Sequence, residues 1–444
     1  MRSSRALAAV ALAVTTATAA AACSSGSSSS SPSTGTGASS SSTASTTAKV
    51  TLTWWNNGNS QPLLGVYTNA IKGFEALHPN ITITNVPIQS TLLQDTKIPL
   101  ALTGDNPPNI YQQWGGGNLA QQVTGGKVDN ITADVSSWID SVSNASGWQV
   151  NGQQYGIPTD LHVVGFWYRK DIFQKVGISV PTTLAQLEAD DTKLKAAGYD
   201  AIAVGSKDGW PDAFWWEYFA LRDCPEATVK SAITSKNLGA SCFSTASTNL
   251  AAFLKTNPFE PGYLGIASQT GVGSSAGLVA DGKAAMELQG DWDPSVMEGL
   301  YPSDTKALSS ELGWFPFPQT PGSGGSQTAA LDGGDGFSCT GTATQAQACA
   351  EFLQYLDTPA EQRQIVGPAA QGEPVIASET SAIALPATQT AAAYLTKTAQ
   401  YGELYFDTAL PSAAGQNLDK AIENYFASPT TGNAGSIADS PNTP

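Results

Sequence analysis

The sequence predicts an α/β protein built as two bodies with a crossing between them. Three observations lead there. At 444 residues the chain exceeds one core of usual size. From residue 50 onward, short apolar–polar alternations take turns with helical spacings, the rhythm of a parallel sheet covered by helices. That rhythm starts afresh after residues 156–170, GIPTDLHVVGFWYRK. There a Gly-Ile-Pro turn and the polar pair Asp160 and His162 give way to the apolar run 163–168.

The chain opens with Arg2 and Arg5, then an uncharged Ala-rich run to Ala22, and reads as an export signal over residues 1–22. Small residues directly before Cys23 resemble a bacterial lipobox, so Cys23 is expected to carry lipid. If Cys23 is unmodified, the chain is simply secreted. Residues 24–48 are Ser, Thr and Gly with no large apolar side chain, so 23–48 is expected to be a lipid-anchored tether.

The first body begins with a strand at 50–55 (VTLTWW), ended by Asn56, Asn57 and Gly58. Apolar residues at helical spacing fill 61–77, and His78-Pro79 stops them. Strand 81–87, helix 92–102 and a short strand 109–113 follow, the last running into Trp114-Gly115-Gly116-Gly117. A helix is expected at 131–142 and a hairpin at 150–156, turning at Asn151-Gly152. In the second body helices are expected at 171–176, 183–197, 209–221, 244–255 and 274–281, with strands at 201–204, 284–289 and 312–317. Residues 331–336, LDGGDG, read as a Gly/Asp turn. Helix dominates 344–356 and much of the chain to 426. The Ser/Pro/Thr/Asn-rich residues 427–444 are expected to be a disordered tail.

A net charge of −16 makes a phosphate backbone an improbable partner, so no nucleic acid is expected. Four cysteines follow Cys23. Outside the cell they suggest two disulfides, and of the three pairings Cys224–Cys242 and Cys339–Cys349 close short local loops. With only His78 and His162, no two-histidine metal motif exists, and neither a metal nor another cofactor is expected. Gly273-Ser274-Ser275-Ala276-Gly277 matches a nucleophile elbow in letters only, since no strand precedes it and no histidine follows. Glu217, Glu287, Asp291 and Asp293 can supply paired carboxylates, so a secreted glycoside hydrolase is the enzymatic alternative.

Eleven tryptophans are the strongest departure from an ordinary globule. Trp54, Trp55, Trp114, Trp210, Trp215, Trp216 and Trp292 cluster at expected strand ends and helix starts, where open α/β sheets hold ligands. A sugar ring offers a C–H face to an aromatic plane, and its hydroxyls need amides and carboxylates around the rim.

In order along the chain, VTLTWWNNG, HPNITITNVPI, ALTGDNPPNIYQQWGGGNLAQQ, GIPTDLHVVGFWYRKDIFQKVGI, DGKAAMELQGDWDPS, LGWFPFP, LDGGDGFS and AQACAEFLQYLDTPAEQRQIV resemble the family-one extracellular solute-binding proteins of bacterial ABC sugar importers. The resemblance implies a two-lobe periplasmic-binding-protein-like fold with a three-crossing hinge. One lobe would be 49–159 plus 290–336, the other 160–289 plus 337–426. It also implies a non-enzymatic monomeric receptor that closes on a small carbohydrate and presents it to a membrane permease. Its ligand contacts would be Trp55, Asn56 and Asn57 after the first strand, Gln113 and Trp114 after the third, and Asp160 and His162 at the first crossing. Further along they would be Trp210, Asp291, Trp292, Asp332, Gly333 and Gln371.

Overall fold

The computed structural model describes residues 48–301, 305–430 and 434–442. The expected signal, Cys23 and the tether up to residue 47 lie outside the described residues.

The first lobe is built on the strand Val50–Asn56, which pairs in parallel with Ile81–Pro87 and Ile110–Gln113. Alternation turns Val50, Leu52 and Trp54 inward. The helix Leu63–Leu77 lays Leu63, Tyr67, Ala70, Ile71 and Phe74 on that face, a one-sided stripe at helical spacing. Trp54 is its hub, with ring centroids 4.7 Å from Tyr67, 5.1 Å from Phe337 and 5.0 Å from Phe352.

The strand Gly156–Arg169 joins the lobes. Its first half pairs antiparallel with Ala330–Cys339, which in turn pairs with Ile110–Gln113 in the first-lobe sheet. Its second half pairs with Ala284–Gly290 and Leu312–Phe315, and Asp200–Ala203 extends that second sheet in parallel. Unlike a one-sided surface helix, Trp210–Asp223 is buried from Pro211 to Asp223. It lies among the helices Ser241–Leu254 and Ser412–Ala427 and the second sheet. Its Arg222 is fully buried, yet donates to the carbonyls of Phe317 (3.0 Å), Ser326 (3.0 Å) and Ala329 (2.9 Å). That set of acceptors is how a buried guanidinium avoids an uncompensated desolvation cost.

Both expected disulfides form. Cys224–Cys242 ties the end of helix Trp210–Asp223 to the start of Ser241–Leu254, and Cys339–Cys349 ties Ala330–Cys339 to the helix Ala343–Leu356.

Four expectations are corrected. The lobe segments 290–336 and 337–426 are displaced. Residues around Met297, Leu312 and Trp314 pack with Val163, Trp167 and Val279 of the second lobe. Phe337, Cys349, Phe352 and Leu356, by contrast, pack on the first-lobe strand beside Leu52 and Trp54. The chain still crosses three times, in Gly156–Arg169, in Ala330–Cys339, and near Glu373–Pro374, whose residues pair with Leu161 and Asp160. The cause is that LDGGDG is not a turn: it lies inside Ala330–Cys339, with a register shift between Asp335 and Gly336. Two glycines side by side read as a turn in sequence, but here they let neighbouring groups approach the strand. The helix expected at 131–142 shortens to Thr132–Val135 and a 3₁₀ turn at Ile139–Ser141. Finally, the tail is not wholly unstructured: the helix Ala434–Asp439 packs on Ser241–Leu254, burying Ile437 and Ala438.

A candidate ligand cleft between the lobes

A cavity of about 300 Å³ lies where the lobes meet. Its floor is made by the crossing strands. In their antiparallel register Asp160 faces Asp335 and His162 faces Gly333. Alternation therefore places Asp160 and His162 on the same side of one strand. His162 Nδ1 lies 2.8 Å from Asp291 Oδ1, and its Nε2 lies 3.3 Å from Asp160 Oδ1. Asp160 Oδ1 also accepts the Asp335 backbone N–H at 3.2 Å, and Asp335 Oδ2 accepts from Asn57 Nδ2 at 2.7 Å.

All four titratable groups of this floor are buried. Burial alone lowers the His162 pKa, but Asp160, and then Asp291, outweigh it, so the value rises well above the ordinary range. The charged imidazolium is favoured: Nδ1 hydrogen-bonds Asp291, and Nε2 makes an ion-pair contact with Asp160 without hydrogen-bond geometry. Burial raises the Asp291 carboxyl, opposed by His162. Burial and then Asp160 push Asp335 up to about 6, against the pull of His162, Asn57 and Trp114.

Gly372 makes the third crossing possible here. It has φ +35°, and a Cβ on it would meet His162 Nδ1 at 2.4 Å and Leu161 O at 2.2 Å. Only a residue without a side chain covers the imidazolium so closely.

The walls differ by lobe. Trp210 opens its helix directly after Gly209, and its ring centroid lies 5.5 Å from Phe214 and 6.2 Å from Trp292. Trp292 stands edge-on to His162 at 4.9 Å and to Tyr405 at 6.4 Å. The first lobe brings Asn57, Gln89, Ser90, Gln94 and Trp114. Hydrogen bonds join the lobes around the opening: Trp210 Nε1 to Thr91 Oγ1 (3.3 Å), Gln94 Nε2 to Asp407 Oδ2 (3.0 Å) and Ser412 N to Gln121 Oε1 (2.8 Å).

Of the residues singled out in the sequence, Asn57, Trp114, His162, Trp210, Trp292 and Gln371 line this cavity. Asp160 and Asp291 lie directly behind His162. The others do not reach it. Trp55 packs against the cluster of Leu93, Ile98, Leu102 and Tyr111, on the opposite side of its strand from Trp54. Asn56 is buried and donates to Asn85 Oδ1 at 2.7 Å, bracing the first two strands. Gln113 folds back, its Oε1 accepting the N–H groups of Trp114 (2.9 Å) and Gly115 (3.1 Å), so it shapes the loop that presents Trp114. Asp332 lies against Gly402 on the neighbouring strand Gly402–Leu404. Gly333 backs Tyr405, where a Cβ would meet the ring at 2.6 Å.

Sequence reading missed Asp335, Phe214, Tyr405, Asp407 and Gln94, all of which line the cavity. Asp335 stood in the LDGGDG run and was passed over for Asp332. Phe214 lies one helical turn after Trp210, a spacing that marks the same helix face. Tyr405 and Asp407 gave no signal, because the fold brings them from a distant segment.

The four carboxylates of the hydrolase alternative are elsewhere employed. Glu217 accepts the Phe406 N–H at 2.9 Å, and Glu287 and Asp293 are buried against each other. None lines the cavity, and Asp291 is held by His162. Ser274 caps the helix Ser275–Ala280 by accepting from Gly277 N at 3.1 Å, an ordinary N-cap. Asp160, His162 and Asp335 each offer a ligand atom within 4.8 Å of one another, but His162 is already ion-paired with Asp160 and Asp291.

A cleft walled by two α/β lobes and floored by their connecting strands is the architecture of the two-lobe class. The profile of the family described as bacterial extracellular solute-binding protein matches residues 57–363, and the chain belongs to that family. It is 25% identical over 284 residues to an uncharacterized ABC transporter extracellular-binding protein of Pyrococcus horikoshii, covering 60% of this chain and 59% of that protein. It is 27% identical over 174 residues to a multiple sugar-binding protein of Streptococcus mutans, covering 36% and 38%. The match thus spans well under two thirds of these relatives. Among solved structures, one from work on xylan utilization by Caldanaerobius polysaccharolyticus has a TM-score of 0.79 at 22% identity, covering 88% of this chain and 98% of that one. A chitin oligosaccharide binding protein has a TM-score of 0.77 at 19% identity, with the same coverage. These likenesses show the shared two-lobe fold. No helix among the described residues is long and apolar enough to cross a membrane.

Proposed function

We propose that this chain is the sugar-binding component of an ABC importer, capturing a mono- or short oligosaccharide between its lobes and delivering it to the membrane permease. The carrying observation is the pairing of aromatic rings on one wall with hydrogen-bonding groups on the other and on the floor. Names among its relatives, such as the multiple sugar-binding protein, point the same way. Trp210, Trp292 and Trp114 are the stacking groups. Asn57, His162, Asp335 and Gln371 meet the hydroxyls, and Asp160 and Asp291 fix His162.

The lobes rotate on the three crossing segments, and ligand favours the closed arrangement by touching both walls. The lobe bodies are residues 48–158 with 336–372, and residues 164–301 and 305–331 with 386–430 and 434–442. Acting as a monomer tethered through lipid on Cys23, the receptor needs no cofactor and performs no chemistry. A thermal-shift screen over neutral mono- and disaccharides, with product analysis of the same mixtures, tests this. Stabilisation without cleavage is expected. Cleavage would restore the hydrolase reading, and no shift with any saccharide would sink the receptor reading.

A further inference from the structure

We propose that the cleft selects an amine-bearing saccharide over its neutral counterpart and rejects acidic sugars, with Asp335 as the residue that sets the preference. This rests on the sugar-binding reading above and concerns the charge of the ligand.

The argument is an inventory of charge. Among the described lining residues there is no lysine and no arginine. The acidic lining residues are Asp335, at the floor, and Asp407, at the second-lobe wall. The basic one is His162, and its imidazolium is already committed to Asp160 and Asp291. The floor therefore sets Asp160, Asp291 and Asp335 against one cation.

Buried atoms without a hydrogen-bond partner include the acceptors Asn57 Oδ1, Asp160 Oδ2 and Asp291 Oδ2 and also the donors His162 Nε2 and Trp292 Nε1. It is therefore the excess of carboxylates that sets the charge of the floor. A ligand rich in donors suits such a floor, and a ligand with a carboxylate or phosphate does not. The walls add to this. Trp210, Phe214, Trp292 and Tyr405 present aromatic rings, and a cation near a ring face gains from the ring quadrupole. A protonated amine satisfies both demands at once. A neutral hydroxyl meets only the first, through hydrogen bonds roughly half as strong as charge-assisted ones.

Asp335 is placed to carry the choice. Its surroundings are Asp160 and His162 of the crossing strand, Asn57 and Trp114 of the first lobe, and the phenols of Tyr67 and Tyr405. No lysine or arginine is among them; the one cation beside Asp335 is His162, which Asp160 and Asp291 already oppose.

The test is titration calorimetry on the soluble chain with matched sets: glucose, glucosamine and glucuronic acid, and disaccharides of each in several linkages. In the set that binds, the amine member is expected to bind roughly tenfold tighter than the neutral one, with the acid not binding measurably. Asp335→Asn is expected to bring the amine-to-neutral ratio close to one. Should that variant fold poorly, the natural chain still decides. Lowering the pH from 7 to 5 should erode the amine preference as Asp335, which titrates near 6, takes up its proton. Equal or tighter binding of the neutral member in every set overturns this inference and leaves the sugar-receptor reading standing. Binding of the acid overturns it as well. Binding of no member of any set overturns both.

Discussion

The two walls of the cleft are built on opposite plans. The first lobe contributes polar side chains from segments that follow strands: Asn57 from the loop after Val50–Asn56, Gln89 from the loop after Ile81–Pro87, and Ser90 and Gln94 from the short helical turns that come next. Its one aromatic there is Trp114. The second lobe adds polar groups such as Gln269 and Asp407 but is richer in rings: Trp210 and Phe214 on the helix Trp210–Asp223, and Trp292 and Tyr405 just before helices, backed by a core that buries Trp215, Trp216 and Phe219. Rigid rings on a dense support give contact area at little entropic cost, while loop amides adjust their hydrogen bonds. The difference suggests a division of labour: the second lobe holds the ligand, and the first lobe with the floor identifies it.

The floor belongs to neither wall, and disturbing it should have the largest effect. His162→Leu would leave Asp160 and Asp291 buried without their cation. A loss of about 3–5 kcal/mol in unfolding free energy is expected by urea denaturation. A loss under about 1 kcal/mol would show that the imidazolium does not hold the crossing strands together.

The contrast between walls comes next. Trp210→Ala and Trp292→Ala should each weaken sugar binding by about 1–3 kcal/mol, whereas Asn57→Ala should cost nearer 1 kcal/mol. If Asn57→Ala costs more than either tryptophan in calorimetry, the division of labour is reversed.

A smaller effect concerns pH. In the folded chain burial raises many carboxyls: Asp332 and Asp335 to about 6, Asp293 to about 7, Glu260 and Glu373 to about 8. His162 is raised too, by its carboxylate neighbours. Each group binds its proton more tightly folded than unfolded. Stability from each is therefore full below its unfolded pKa and is lost as pH rises through its folded value. Melting temperature should fall from pH 5 to pH 8, and a rise over that interval would contradict the burial of these carboxyls.

The smallest effect is expected at Trp55. It does not line the cavity but packs on the apolar cluster that Trp114 also packs on, so Trp55→Ala should lower stability and weaken sugar affinity by no more than a few fold, through Trp114 alone. A large loss of affinity would return Trp55 to the cleft.

Much of this was legible in the chain. The alternation VTLTWW, the one-sided stripe ending at Leu77 and the crossing stretch 156–170 all lie where local periodicity points. Six of the cleft residues, Asn57, Trp114, His162, Trp210, Trp292 and Gln371, stand at positions where the family resemblance implies ligand contacts. The errors cluster where two readings share one local pattern. Asn56 and Asn57 are adjacent, yet strand alternation buries one against Asn85 and sends the other to Asp335. Asp332 and Asp335 flank the same glycines, but one is spent beside Gly402 and the other meets the cavity.

What the sequence determined by itself is most of the elements and the tryptophan-rich character of the cleft, with the two disulfides favoured among three pairings rather than fixed. These follow from short-range spacing and side-chain type. Which lobe owns residues 290–336 and 337–372, and the joining of Tyr405 and Asp407 to the cleft, was decided only by tertiary structure. The physical reason is that the crossing strands pair with partners far away in the chain, Ala330–Cys339 with both Ile110–Gln113 and Gly156–Arg169. Their register and crossings are then set by long-range packing, as when Phe337 and Phe352 settle on Trp54. Local pattern carries no trace of that choice.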